Sequence, residues 1–290
     1  YDVVVVVSAL GDTTDELIEL ARQITNRPPR REMDMLLSTG EQVSISLLAM
    51  AVDSLGEPVI SLTGAQCGII TDDKHTKARI LEIQANRIQE ELSQGKIVVV
   101  AGFQGITSLN DITTLGRGGS DTTAVALAAV LKAKVCEIYT DVDGVYTADP
   151  RIVPQARKLE QISYGEMLEM ARLGAGVMQP RAVEVAAQYG IPIHVRASSK
   201  DEPGTIIRGE EGLEKEVVVT GVTHDTNVAK FVVVDVPDKP GVAAKIFSSL
   251  ADDGINVDMI VQTNKRTGRT DMLFTVSKDD MASTKEIVER

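Results

Sequence analysis

Short apolar runs rich in β-branched residues alternate along the chain with stretches whose apolar positions recur at helical spacing, the pattern of a mainly parallel sheet with helices on its faces. Residues 3–7 are consecutive valines and predict a buried strand. Thr13 and Glu16 then give the T-x-x-E spacing of a capping box, opening a helix to about residue 24 that Arg27-Pro28-Pro29 ends. Residues 31–37 and 42–55 read as helical on either side of a polar interruption, Ser38-Thr39-Gly40-Glu41. Strands at 59–62 and 97–101 flank a helix around 88–92. Residues 102–119 read as a long loop, 120–131 as a small Ala-rich helix and 135–140 as the next strand. Ser163 and Glu166 make a second capping box before a helix at 167–173, followed by a helix at 183–189 and strands at 192–197 and 204–208.

The hydrophilic stretch 209–216 reads as a linker, and 217–222 offers one further strand. Beyond it the order is strand (230–236), turn at 237–241, helix with Val242, Ile246, Phe247 and Leu250 on one face, strand (255–261), turn at 265–268, strand (271–276) and a helix from about Met281. This is most of a ferredoxin-like unit. The expected division is therefore 1–208, a joining segment 209–228 and a second domain 229–290.

At 290 residues the chain exceeds what one core usually organises, in keeping with two domains. Thirty Lys and Arg against forty-two Asp and Glu leave a net charge of −12, with no basic patch for phosphate backbones, so no nucleic-acid partner is expected. The longest apolar runs fall far short of the ~18 residues of a membrane helix, and the start carries neither a basic n-region nor a small-residue cleavage site. Cys67 and Cys136 lie far apart without Cys or His neighbours at ligand spacing, which suggests free thiols in a reducing, cytoplasmic setting and no His/Cys metal site.

The most informative stretch is Thr113-Thr114-Leu115-Gly116-Arg117-Gly118-Gly119-Ser120-Asp121, a glycine-rich loop running into a helix. Glycines let backbone N–H groups converge, a helix N-terminus adds unpaired donors, and Arg117 adds a guanidinium suited to carboxylate or phosphate. A tight turn capped by Ser120 is the plainer alternative. Gly102-Phe103-Gln104-Gly105 follows a strand, where open α/β sheets bind ligands. Ser8 to Thr14 leaves a strand and enters a helix in the same way. Residues 140–151, TDVDGVYTADPR, also follow a strand; Asp-Gly and Asp-Pro make turn chemistry as good a reading there as a nucleotide site.

SALGDTTDE (8–16), STGE (38–41), AGFQG (101–105), TTLGRGGSD (113–121) and TDVDGVYTADPR (140–151), in this order, resemble the aspartate kinase family. Asp238-Lys239-Pro240-Gly241 with Ile255-Asn256-Val257-Asp258-Met259 and Gln262 is similar to the first of that family's paired ACT domains. The resemblance implies an α/β amino acid kinase fold, a mainly parallel sheet between helices, followed by a ferredoxin-like ACT domain. It implies a catalytic pair, Arg117 and Asp121. An L-aspartate site would be made by Thr14, Glu41, Phe103, Arg117, Gly118, Gly119 and Ser120. Ser8, Thr140, Asp141, Tyr146, Asp149, Arg151 and Arg181 would form an ATP site used with Mg²⁺. Asp238, Gly241, Ala243, Asn256, Asp258 and Gln262 would take lysine and/or threonine as effectors.

The implied reaction moves the ATP γ-phosphoryl group onto the β-carboxylate of aspartate, giving 4-phospho-L-aspartate at the head of lysine, threonine and methionine synthesis, with association through ACT domains. The family's Lys-Phe/Tyr-Gly-Gly segment and most of its second ACT domain find no match in these residues, and full activity and feedback control are expected to need them. A non-catalytic amino-acid-binding subunit, or a related kinase with another acceptor, are the alternative readings.

Overall fold

The computed structural model describes residues 1–210, 219–265 and 268–289, and the chain divides into two compact units, Tyr1–Thr223 and His224–Arg290. The first unit runs β1 (Val4–Val7), α1 (Thr13–Ile24), α2 (Arg30–Ser54), β2 (Val59–Leu62), β3 (Ile69–Thr71), β4 (Ile80–Ile83), α3 (Asn86–Ser93), β5 (Ile97–Ala101), β6 (Gln104–Ile106), β7 (Ile112–Thr114), α4 (Gly119–Val130), β8 (Cys136–Thr140), β9 (Gln161–Ser163), α5 (Tyr164–Arg172), α6 (Pro180–Tyr189), β10 (Ile193–Ala197) and β11 (Thr205–Arg208).

Three hydrogen-bonded sheets result. The parallel sheet β1-β5-β2 carries the valine and Ile97–Ala101 runs; β5 is central, and Val98 to Ala101 are fully buried because both faces are covered. The sheet β8-β10-β11-β9 is parallel except for the β10–β11 pair, and its inner face packs with α4, α5 and α6 around Ile138, Met167, Val183, Val195 and Ile207. A third, mixed sheet, β4-β3-β6-β7, comes from the 102–119 stretch read as loop and from 69–83, to which periodicity assigns no element: strands of three or four residues are too short to show alternation. The region 102–119 is thus a hairpin followed by a glycine-rich turn.

Two helix expectations need correction. Ser38 to Glu41 do not break the helix: α2 is continuous, and the hydroxyls that suggested a break donate within it, Ser38 Oγ to Met35 O (2.9 Å) and Thr39 Oγ1 to Leu36 O (2.6 Å), as Ser44 Oγ does to Gly40 O (3.3 Å). The capping box at Thr13 is absent. The N-cap is Asp12, without a side-chain cap bond, and Thr13 Oγ1 donates instead to Leu10 O at 2.6 Å. The capping box at Ser163 is present: its Oγ accepts from Glu166 N and Glu166 Oε2 accepts from Ser163 N, both at 3.2 Å. By length and composition α2 is long and apolar enough to cross a membrane, unlike any run counted from the sequence. It nevertheless buries Asp34, Ser38, Glu41 and Ser44 and packs against β1, β2, β5 and β7.

Residues 211–218, most of the expected linker and the start of the extra strand, lie outside the described residues; 219–222 form no strand, and Val222 N donates to Thr147 O at 2.8 Å. The second unit is β12 (Val228–Pro237), α7 (Val242–Asp252), β13 (Met259–Lys265), β14 (Arg269–Ser277), a 3₁₀ turn at Lys278–Asp280 and α8 (Met281–Val288). Its antiparallel sheet has the order β12-β14-β13. The strand expected at 255–261 starts later, at Met259. Fully buried Phe274 centres this core, stacked on Phe231 and edge-on to Phe247 with ring centroids 5.5 Å apart in each pair. Phe274→Ala is expected to cost this unit about 3–5 kcal/mol, read from the denaturation midpoint.

Candidate functional site

The carboxyl ends of β1 and β5 lie side by side, and Gly102 N donates to Val7 O at 3.0 Å. From that edge the chain leaves through two loops, 8–12 and 102–103, and both meet a helix where a side chain would not fit. A Cβ on Gly102 would stand 2.7 Å from Ser120 Oγ, at the start of α4, and one on Gly40 in α2 would stand 2.9 Å from Ala9 Cβ. Glycine at 40 lets α2 press against the loop after β1. There Ala9 N donates to Glu41 Oε1 at 3.0 Å. From the same stretch of α2, Ser38 O accepts from Gln104 Nε2 at 2.9 Å, so the STGE segment touches both the loop after β1 and the start of β6.

Glu41 is 3% exposed, and its Oε2 is buried with no hydrogen-bond partner among the described residues. Burial pushes its pKa up to about 7, against the opposing backbone bonds. A buried carboxylate with one idle oxygen is a vacancy for a cationic donor.

Helix α4 begins with Gly118 as N-cap in the left-handed region (φ 68°), not with Ser120 as the plain-turn reading had it. Gly116 is also left-handed (φ 79°), so the glycines here meet a backbone requirement. Among the described residues the first-turn amides of Ser120 and Asp121 make no backbone hydrogen bond, and exposed Arg117 makes neither a hydrogen bond nor an ion pair. Gly119 abuts Phe103, whose own φ is +67° and whose N–H donates to Thr123 Oγ1 at 3.2 Å. Asp121, in the first turn, is lifted to about 6 by burial, with a backbone N–H of Gln179 acting the other way.

The structure thus brings Ser8, Glu41, Phe103, Gly119 and Ser120 to one edge, with Thr14 in the first turn of α1 just beyond. Ser8, grouped in the sequence with nucleotide contacts, stands at this edge directly after β1.

A second group follows β8. Thr140 Oγ1 donates to Asp141 Oδ1 at 3.0 Å and Tyr146 OH to Asp143 Oδ1 at 3.0 Å. Lys158 Nζ ties that loop to Glu202 (2.7 Å) and Asp143 (3.5 Å). Arg151 is highly exposed and grips Asp149 through Nε and Nη2 at 3.0 and 2.8 Å. Arg181 stands apart from this group: its Nη1 donates to Ala78 O (3.3 Å) and Leu115 O (3.2 Å), next to the glycine-rich turn. Helix α4 packs on both β1 and β8, linking the two groups.

In the second unit Asp238, Gly241, Ala243 and Gln262, with Thr270 and Met272, line an open cavity of about 300 Å³, with Gln262 Nε2 donating to Asp238 Oδ1 at 3.5 Å. Asn256 and Asp258 do not line it; they pair with each other, Nδ2 to Oδ1 at 2.7 Å, and burial raises Asp258.

Sequence reasoning passed over Asp34, His75, Gln179 and Lys158. The one available signal was Asp34, an acidic residue set among apolar positions of a helical stretch. Among the described residues no three His, Cys, Asp or Glu side chains cluster as a metal cage.

Comparison with known proteins shows the family. The amino acid kinase family matches residues 1–197 and an ACT domain matches 232–290. The aspartokinase of Bacillus sp. (strain MGA3) is 56% identical over 288 residues, covering 99% of this chain and 70% of its own length. The crystal structure of aspartate kinase from Synechocystis is 48% identical with a TM-score of 0.64, covering 98% of this chain and 48% of that one. E. coli aspartokinase III in complex with aspartate and ADP superposes with a TM-score of 0.75 at 27% identity, over 91% of this chain and 59% of that one; the same enzyme is also known with lysine and aspartate, at a TM-score of 0.65 and 26% identity over 94% and 62%. The chain belongs to the aspartokinases, amino acid kinases that carry an ACT domain.

Proposed function

We propose that this protein transfers the γ-phosphoryl group of ATP to the β-carboxylate of L-aspartate, giving 4-phospho-L-aspartate. The observation that carries the reading is the pairing of opposite vacancies at one sheet edge: the idle, buried Glu41 Oε2 for an ammonium group, and Arg117 with the α4 N-terminal amides for carboxylates. Thr14, Phe103 and Gly118 to Ser120 complete the aspartate site. The E. coli relative's complex with aspartate and ADP supports the substrate pair.

The acceptor carboxylate has a reference pKa of about 3.9 and needs no general base at neutral pH. The barrier is repulsion between anions, which positioned cations and N–H donors lower. Arg117 and the first turn of α4 supply both at the acceptor, while Thr140, Asp141, Tyr146, Asp149 and Arg151 form the nucleotide side, with Arg181 bracing the glycine-rich turn. To reach a phosphate, Arg151 must exchange its bidentate hold on Asp149. Mg²⁺ would neutralise phosphate charge on the nucleotide, and the carboxylates of Asp121 and Asp141 are hard oxygen donors of the kind that would hold it.

Lysine and/or threonine would bind at the cavity around Asp238, Gly241, Ala243 and Gln262, Asp238 meeting the ammonium; the lysine complex of the E. coli relative supports an amino-acid effector. Asn256 and Asp258 would act from the next turn. Association would run along the exposed β13 edge, Met259 to Val261. The buried free thiols of Cys67 and Cys136 accord with a cytoplasmic setting.

ATP-dependent hydroxamate formation tests the reading. With the family's Lys-Phe/Tyr-Gly-Gly segment and second ACT domain supplied, product is expected from aspartate and not from glutamate, with lysine or threonine lowering the rate. Turnover of glutamate alone would overturn the acceptor, and amino-acid binding without turnover would favour a non-catalytic subunit.

A further inference from the structure

Beneath the glycine-rich turn lies a polar cluster to which the reaction above assigns nothing. Asp34 of α2 is fully buried, and three donors from two other segments converge on its carboxylate. Thr114 Oγ1, at the end of β7, donates to Oδ1 at 2.5 Å. Thr76 N donates to both oxygens, at 3.0 and 3.1 Å, and His75 Nδ1 lies 2.6 Å from Oδ2. Thr76 is one of few non-glycine residues with a left-handed backbone, φ +70°, a conformation that persists only where surroundings enforce it. The Asp34 carboxylate holds the Thr76 amide in that conformation with both oxygens.

The strained segment is packed on the turn that carries Arg117. Ala78 N donates to Thr114 O at 3.0 Å, Arg181 links Ala78 O to Leu115 O, and a Cβ at Gly116 would stand 3.1 Å from Thr76 O. We propose that Asp34, with His75, is a positioning pair for the aspartate site: one carboxylate on α2 clamps residues 75–78 and Thr114 together and so fixes the path of Leu115 to Gly118. The proposal rests on the aspartate-binding reading and names what sets the aim of Arg117. Neither residue need touch substrate, and misplacing a binding group by about 1 Å can cost 100-fold.

The test uses aspartate binding by calorimetry, ATP-analogue binding, and amide hydrogen exchange at 115–118, on the whole protein. Asp34→Asn and His75→Phe are expected to weaken aspartate binding about tenfold or more and to speed exchange at 115–118, while ATP-analogue affinity stays within about twofold. His75→Gln, which keeps a donor facing Asp34, should recover most of the loss. If Asp34→Asn does not fold, the two His75 variants decide. Unchanged aspartate affinity, a parallel loss of nucleotide binding, or a Gln variant no better than Phe would overturn the proposal. A wild-type protein that binds ATP analogue but no aspartate sinks the site assignment itself, whereas a wild type that binds aspartate, with unaffected variants, sinks only the role of Asp34.

Discussion

Arg117→Ala is expected to lower kcat/KM for aspartate by about 10²–10³, the usual effect of deleting one charged donor from a preorganised anion site. The guanidinium is exposed and engages no other group among the described residues, so its removal takes nothing from the folded protein's internal bonding. The melting temperature should therefore stay within about 1–2 °C of wild type, since exposed substitutions of this kind typically shift stability by under about 0.5 kcal/mol. Arg117→Lys should recover only part of the rate, because a point charge replaces a planar fork. Steady-state kinetics with aspartate and ATP varied separately check this, and an unchanged aspartate profile would remove Arg117 from the site.

The second large effect concerns Glu41 and has opposite signs for function and stability. Its carboxyl stands at about 7 in the folded protein against an ordinary 4.5, because burial penalises the charge. The folded state thus holds a proton that the unfolded chain releases. This contribution is fully present below about pH 4.5 and is lost as pH rises to about 7, where the folded protein carries a buried carboxylate at a cost of about 3 kcal/mol. Glu41→Gln keeps an acceptor for Ala9 N and removes the charge. Above pH 7 it should be more stable than wild type by up to about 3 kcal/mol in denaturant titration, the gain shrinking to nothing near pH 4.5. The same variant should bind aspartate at least about 100-fold more weakly, since the ammonium loses a buried counter-charge. Wild-type affinity for aspartate should fall as pH drops below about 7, and the variant's should stay flat over that range. A variant that binds aspartate normally, or is destabilised equally at all pH values, would contradict the role.

Much of the fold was legible because burial writes itself into the sequence. The valine run of β1, the Ile97–Ala101 strand and the Ser163 capping box all appear where local pattern places them. The failures share a physical cause. At Ser38 to Glu41 polar residues looked like a helix break, yet the hydroxyls bond the helix's own carbonyls, Gly40 serves a close approach, and Glu41 meets an amide 32 residues away. At 102–119 the strands are three residues long and exist because of their partners. The site followed the same division: glycine-rich loops and strand ends announced a ligand edge, whereas the clamp around Asp34 is assembled from segments about 40 and 80 residues apart and has no local signature.

The unbroken course of α2 makes that helix a measuring rod. Asp34 and Glu41 stand seven positions apart, close to two full turns, so both leave the same side of the helix, one bonded to Thr114 at the entry to the anion-binding turn and the other to the loop after β1. Inserting or deleting a single residue between them would swing one carboxylate about 100° around the axis relative to the other. Spacing along this rod, with glycine at 40 to admit the loop after β1, is what the architecture holds constant.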